Sequence, residues 1–162
     1  MQYRKIILKE QTEKINAKNE LLNRVLALRG LTKEEEIKKF LNPKKEDFVS
    51  PFAFSDMEKA VNRINCAIQN NEKILVWGDF DCDGVTSTSI LYKALKKLNA
   101  NVITFIPDRL DDGHGLNTKK LIRLYTKEKF KLVITVDCGV SNVSEVNLLN
   151  GFKIDTIITD HH

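Results

Sequence analysis

The chain has 162 residues and a net charge of +4. Its 42% hydrophobic and 30% charged residues are the balance of a soluble globular protein, which excludes a disordered polyelectrolyte. That length fits one domain, or one domain with an arm, and no apolar run is long enough for a signal peptide or a membrane span.

The positive excess lies in residues 1–54, which hold 12 Lys/Arg and 8 Asp/Glu, while residues 55–162 hold 14 of each. Residues 12–28 carry apolar side chains at helical spacing without glycine or proline. A second helix is predicted in "LTKEEEIKKFLNP", with Thr32 and Glu35 spaced as a capping box and Pro43 as the stop. "KKEDFVSPFAF" then reads as an irregular connector containing Pro51. Residues 1–54 are therefore expected to form a small helical N-terminal arm.

From residue 55 the pattern changes. Ser55 and Glu58 are spaced as another capping box before "DMEKAVNRINCAIQN". Largely apolar, strand-like runs follow at 73–78, 101–106, 131–137 and 155–159, separated by helical segments. Strand–helix–strand repeats with continuous apolar strands predict an α/β domain over residues 55–162, a parallel β-sheet with helices on both faces. In such sheets functional residues gather at the C-terminal strand ends.

Those ends are acidic. The first strand runs into "GDFDCDG", with Asp79, Asp81 and Asp83; the third ends at Asp137 in "TVDCG"; the fourth ends at Asp160, followed by His161 and His162. The second passes through Pro107 into an acidic loop that also holds Arg109. In extended backbone the first three aspartates would share one face, Phe80 and Cys82 the other, with Gly84 allowing a tight turn before a helix near Val85. Converging carboxylates repel and raise one another's pKa unless a cation lies between them. Oxygen-rich ligands suit Mg²⁺ or Mn²⁺, and an added imidazole tilts the choice toward Mn²⁺. The carboxylates suffice for two ions, the arrangement that clamps a phosphoryl displacement. Bound cations would leave residues 55–162 net positive and favour a polyanionic substrate.

Simpler readings compete with the metal site. A calcium EF-hand loop starting at Asp79 would need Glu at its twelfth position, where Ile90 stands. An aspartate after a strand is often only a helix cap, and Asp137 taken alone fits that role. Cysteines 66, 82 and 138 lack CxxC spacing; they argue against a disulfide framework or zinc knuckle and suit a reducing cytoplasm. Cys82 and Cys138 read as small packing residues.

Together, "GDFDCDG", "TVDCG" and the terminal "DHH" resemble the ordered motifs of the DHH phosphoesterase superfamily, in the version of its RecJ branch of single-strand-specific 5′→3′ DNA exonucleases. Other branches open with a His, three intervening residues and Asp-x-Asp. Aligned on Asp81 and Asp83, that His falls at Trp77, and Asp79 stands in as a ligand. "IPDRLDDGHGL" is similar to the branch's P-x-R-x-x-x-G-Y-G stretch, with His114 where tyrosine is usual. The arm and the connector "EDFVSPFAFSDMEKAV" also look like that branch's lead-in.

The resemblance implies a hydrolase that cleaves single-stranded DNA in repair and recombination, with two Mn²⁺ or Mg²⁺ ions. Asp79 and Asp81 would hold the first ion, Asp137 would bridge, and Asp83 and His161 would bind the second. His162 would contact the scissile phosphate and Asp160 would orient a neighbouring histidine. Arg109 and His114 are candidate phosphate contacts. Single-strand-binding proteins and helicases are the implied protein partners, and the cytoplasm the implied compartment. Because relatives continue past DHH with a further metal-binding aspartate and more domains, the chain is expected to be incomplete and to have little processive nuclease activity alone. Two other readings stay open: a DHH phosphodiesterase acting on short oligonucleotides or cyclic dinucleotides, and a non-catalytic interaction module.

Overall fold

The computed structural model describes residues 20–162. The chain divides into two compact units between Ala53 and Phe54.

In the first unit, helix α1 spans Glu20–Leu28, and the part of the expected helix before residue 20 lies outside the described residues. Helix α2 spans Glu34–Leu41, followed by 3-10 turns at Lys45–Asp47 and Pro51–Ala53. Leu26 and Ile37 are the buried apolar residues of α1 and α2. The expected Thr32–Glu35 capping box does not form. The N-cap is Lys33, whose carbonyl takes the Ile37 N–H at 3.0 Å, so Thr32 lies one position too early. Glu34, Glu35 and Glu36 in the first turn and Lys38 and Lys39 in the last complement the helix dipole instead.

The second unit runs α3 (Met57–Gln69), β1 (Ile74–Gly78), α4 (Cys82–Lys97), β2 (Val102–Phe105), α5 (Thr118–Glu128), β3 (Leu132–Val136), α6 (Val143–Gly151) and β4 (Asp155–Thr159). Here too the Ser55–Glu58 box is absent. The N-cap is Asp56, which makes no side-chain capping bond, and Phe54 O already accepts the Met57 N–H in the preceding turn.

All strand pairs are parallel, in the order β2-β1-β3-β4. Alternate residues of the central strands feed two cores. Ile74, Val76, Leu132 and Ile134 pack with α3 and α4 through Ala67 and Leu95. Leu75, Trp77 and Val133 pack with α5 and α6 through Leu121 and Leu149. The helices therefore cover both faces, as the continuous apolar runs require. Only β1 and β3 are buried throughout; the edge strands β2 and β4 are partly exposed. No described helix is long and apolar enough to cross a membrane.

Candidate metal centre

The hydrogen-bond register sets the positions of the acids. Gly78 pairs with Val136, and Val136 with Thr159, so Asp79, Asp137 and Asp160 are each the first residue past three adjacent, register-matched strand ends. They stand in a row at the C-terminal edge of the sheet. The row includes the boundary between β1 and β3, where the strand order reverses and α/β sheets open a crevice.

The backbone is still extended at Asp81 and turns helical from Cys82. Asp81 is the N-cap of α4, its Oδ1 accepting the Gly84 N–H at 2.9 Å, and Asp83 lies in the helix's first turn. The expected convergence therefore holds for Asp79 and Asp81 and ends at Asp83, and Gly84 serves close packing rather than a turn. A Cβ there would lie 2.4 Å from the Asp79 carbonyl oxygen. The capping role expected for Asp137 falls to Asp81. Asp137 has φ +63°, a left-handed conformation that aspartate tolerates better than most side chains, and its N–H donates to Thr159 O at 2.9 Å.

Two ligand-competent groups form among the described residues, and they share Asp137: Asp79, Asp81 and Asp137, and Asp137, His161 and His162. His161 Nε2 is 2.9 Å from Asp137 Oδ1. Asp83 belongs to neither group, but with Asp137, Asp160, His161 and Ser87 it lines an open cavity of 330 Å³. Asp79 Oδ1 and Asp137 Oδ2 are buried and accept no hydrogen bond, which is costly for carboxylates. A divalent cation would satisfy both, and a donor set of carboxylates with imidazole fits Mn²⁺ or Mg²⁺.

Electrostatics support that fit. Burial, and next the neighbouring charge of Asp81, push the Asp137 carboxyl above its ordinary pKa against the opposing pull of His161. The Gly84 N–H lowers that of Asp81. Asp160 behaves in the opposite way to Asp137. Burial alone would raise it, but the Val140 N–H, the His162 ring and the His162 and His161 N–H groups outweigh burial and hold it at about 2. Its Oδ2 accepts from Val140 at 2.9 Å, and its Oδ1 lies 2.7 Å from His162 Nδ1. That contact raises the pKa of His162. Burial, then the charges of Asp79, Asp160 and Asp137, push the Cys138 thiol up to about 12, which leaves it an inert packing group.

The loop after β2 completes the rim. Gly113 and Gly115 have φ +71° and +74°, and between them His114 turns outward. Trp77 Nε1 donates to Gly115 O at 3.1 Å, and Asn142 Oδ1 accepts the Leu116 N–H at 3.0 Å. So held, His114 places Nδ1 3.1 Å from Asp79 Oδ2. Arg109 makes no ion pair among the described residues; its guanidinium lies 5.4 Å over the Phe80 ring. Trp77 and Asn142 were missed as positioning residues. Asn142 is the N-cap of α6, and its bonds to a loop 26 residues away carry no local signal.

The fold and motifs are matched in known proteins. Residues 73–162 match the family model described as the DHH family, N-terminal domain. The chain is 41% identical over 155 residues to the single-stranded-DNA-specific exonuclease RecJ of Bacillus subtilis, covering 96% of this chain and 20% of that protein. It is 36% identical over 122 residues to RecJ of Thermus thermophilus, covering 74% and 18%. The crystal structure of RecJ in complex with Mn²⁺ from Thermus thermophilus superposes with a TM-score of 0.62 at 30% identity, covering 85% of this chain and 18% of that one. The chain thus spans about a fifth of the length of the curated relatives it matches. With more than half its residues under that family model, and with its acids at the matching strand ends, the chain belongs to the DHH family.

Proposed function

We propose that this chain forms the metal-binding part of an exonuclease that hydrolyses single-stranded DNA in the 5′→3′ direction. The observation that carries the reading is the group Asp79, Asp81 and Asp137, with buried, unpartnered oxygens on Asp79 and Asp137; His161 contacts Asp137, and Asp83 lines the same cavity. The similarity to RecJ exonucleases, one of them bound to Mn²⁺, supports the choice of substrate and metal.

Asp79, Asp81 and Asp137 would hold one Mn²⁺ or Mg²⁺, and Asp137, His161 and Asp83 the other. The ions supply Lewis acidity for phosphodiester hydrolysis. His114 fixes Oδ2 of Asp79 and leaves Oδ1 for the metal. Asp160 raises the pKa of His162 through their 2.7 Å contact and orients its ring, which would contact a phosphate oxygen. Arg109 is a second cation at the rim for the backbone phosphates. The domain reading is residues 1–54 as an arm and 55–162 as the DHH domain. The reading implies work in the cytoplasm beside single-strand-binding proteins or helicases.

The test pairs Mn²⁺ titration, followed by electron paramagnetic resonance, with digestion of single- and double-stranded DNA blocked at either end. Mn²⁺-dependent release of nucleotides from free 5′ ends of single strands is the expected result. Mn²⁺ binding unchanged by Asp137→Asn would overturn the site.

A further inference from the structure

The segment that follows β3, from Asp137 to Asn142, touches the site from two sides. Asp137 belongs to both ligand groups, and the Val140 N–H donates at 2.9 Å to Asp160 Oδ2, whose carboxylate also meets the His162 ring. At the far end Asn142 is the N-cap of α6, yet its side chain makes no capping bond there. It reaches instead to the loop after β2. Its Oδ1 accepts the Leu116 N–H at 3.0 Å, and its Nδ2 donates to Leu116 O at 3.3 Å and to Glu145 Oε2 at 3.2 Å. These partners fix the amide's orientation, since only the oxygen can accept an N–H and only the NH₂ can serve two acceptors. Glu145 is held in turn by Ser144 Oγ at 2.9 Å and Thr118 Oγ1 at 3.2 Å. Gly115 permits the approach, because a Cβ there would collide with Asn142 Oδ1.

We propose that Asn142, oriented by Glu145, is a positioning residue for the cation held by Asp79 and Asp81, acting through Leu116 and His114. The inference rests on the metal reading of those carboxylates. His114 directly precedes the clasped residues, and its Nδ1 lies 3.1 Å from Asp79 Oδ2. A side chain at an N-cap ordinarily satisfies its own helix. This one leaves α6 uncapped and holds a loop 26 positions back. The two ends of one short segment therefore serve the two halves of the site: Val140 steadies Asp160 and His162, and Asn142 steadies His114 and Asp79.

The test uses Asn142→Asp in the 162-residue chain, because aspartate caps a helix as well as asparagine does and suits its positive end. If Asn142 serves only to start α6, this variant binds Mn²⁺ like the unaltered chain. In the clasp, a second carboxylate would face Glu145 and leave Leu116 O without a donor. Mn²⁺ affinity, followed by electron paramagnetic resonance, should then fall about tenfold. The Leu116 amide should exchange faster with D₂O, and the Val140 amide should not. Adding Glu145→Gln again sets one amide against one carboxylate and should recover most of the affinity. Asn142→Ser, a good cap too short to reach Leu116, should weaken Mn²⁺ binding as Asn142→Asp does. Unchanged Mn²⁺ affinity in either single variant, or a double variant no tighter than Asn142→Asp, would overturn the positioning role and leave the metal reading standing. Absence of Mn²⁺ binding by the unaltered chain would overturn both.

Discussion

His161 Nε2 lies 2.9 Å from Asp137 Oδ1, so one imidazole joins the chain leaving β4 to the residue that ends β3. The contact brings the two ligand groups together on one carboxylate, whose pKa is raised. Burial and Asp81 both disfavour its charge.

Asp137→Asn should therefore separate stability from metal binding. The amide keeps the shape and tolerates φ +63°, while it removes the repulsion with Asp81. The expected outcome is a metal-free chain that melts at the same or a higher temperature. Mn²⁺ affinity should fall at least tenfold, about 1.4 kcal/mol, by calorimetric titration.

Asp160 and His162 predict a pH window. Asp160 is held at about 2 against an ordinary 3.8, so its contribution is complete above 3.8 and is lost as pH falls toward 2. His162 is raised above 6.5, so its contribution is complete below 6.5 and is lost as pH rises through the folded value. Asp160→Asn should cost most stability between those limits, about 1–3 kcal/mol by urea unfolding. In a histidine NMR titration it should bring His162 back toward 6.5.

Gly84→Ala sets two effects against each other. Alanine in a helix gains up to about 1 kcal/mol over glycine. A Cβ here would meet the Asp79 backbone at 2.4 Å, and neither β1 nor α4 can move without shifting the ligands. Overpacking of this kind costs about 1–3 kcal/mol, so net destabilisation is expected by chemical denaturation, with weaker Mn²⁺ binding.

Thiol labelling checks the burial around the site. Cys66 and Cys82 are exposed, whereas Cys138 is buried with its pKa pushed up to about 12. Ellman's reagent at pH 8 should therefore titrate those two thiols in the native chain and the third only after unfolding.

How far the sequence carries depends on the range of the signal. The strands were legible because a β-strand covered on both faces must be continuously apolar, and "ILVWG" and "LVITV" are. The convergence of Asp79, Asp137 and Asp160 followed from parallel topology alone. Helix starts were legible only to within a residue or two. The N-caps are Lys33 and Asp56, each one residue later than the expected capping boxes require. The alternation assumed for Asp81 and Asp83 failed because the Asp81 cap starts the helix at Cys82. The rim was the least legible part. The contacts of His114 with Asp79 and of Trp77 with Gly115 join residues 35 and 38 positions apart, and no periodicity marks them.

The matched strand ends make the hydrogen-bond ladder a ruler for the site. One residue inserted or deleted within β1, β3 or β4 would displace a single acid by about 3.3 Å along its strand and turn it to the opposite face. The same change in α5, or in the loop between Gly151 and Asp155, would leave the row untouched. Length variation compatible with this chemistry is therefore confined to the connections, and the strands must keep their count to the residue.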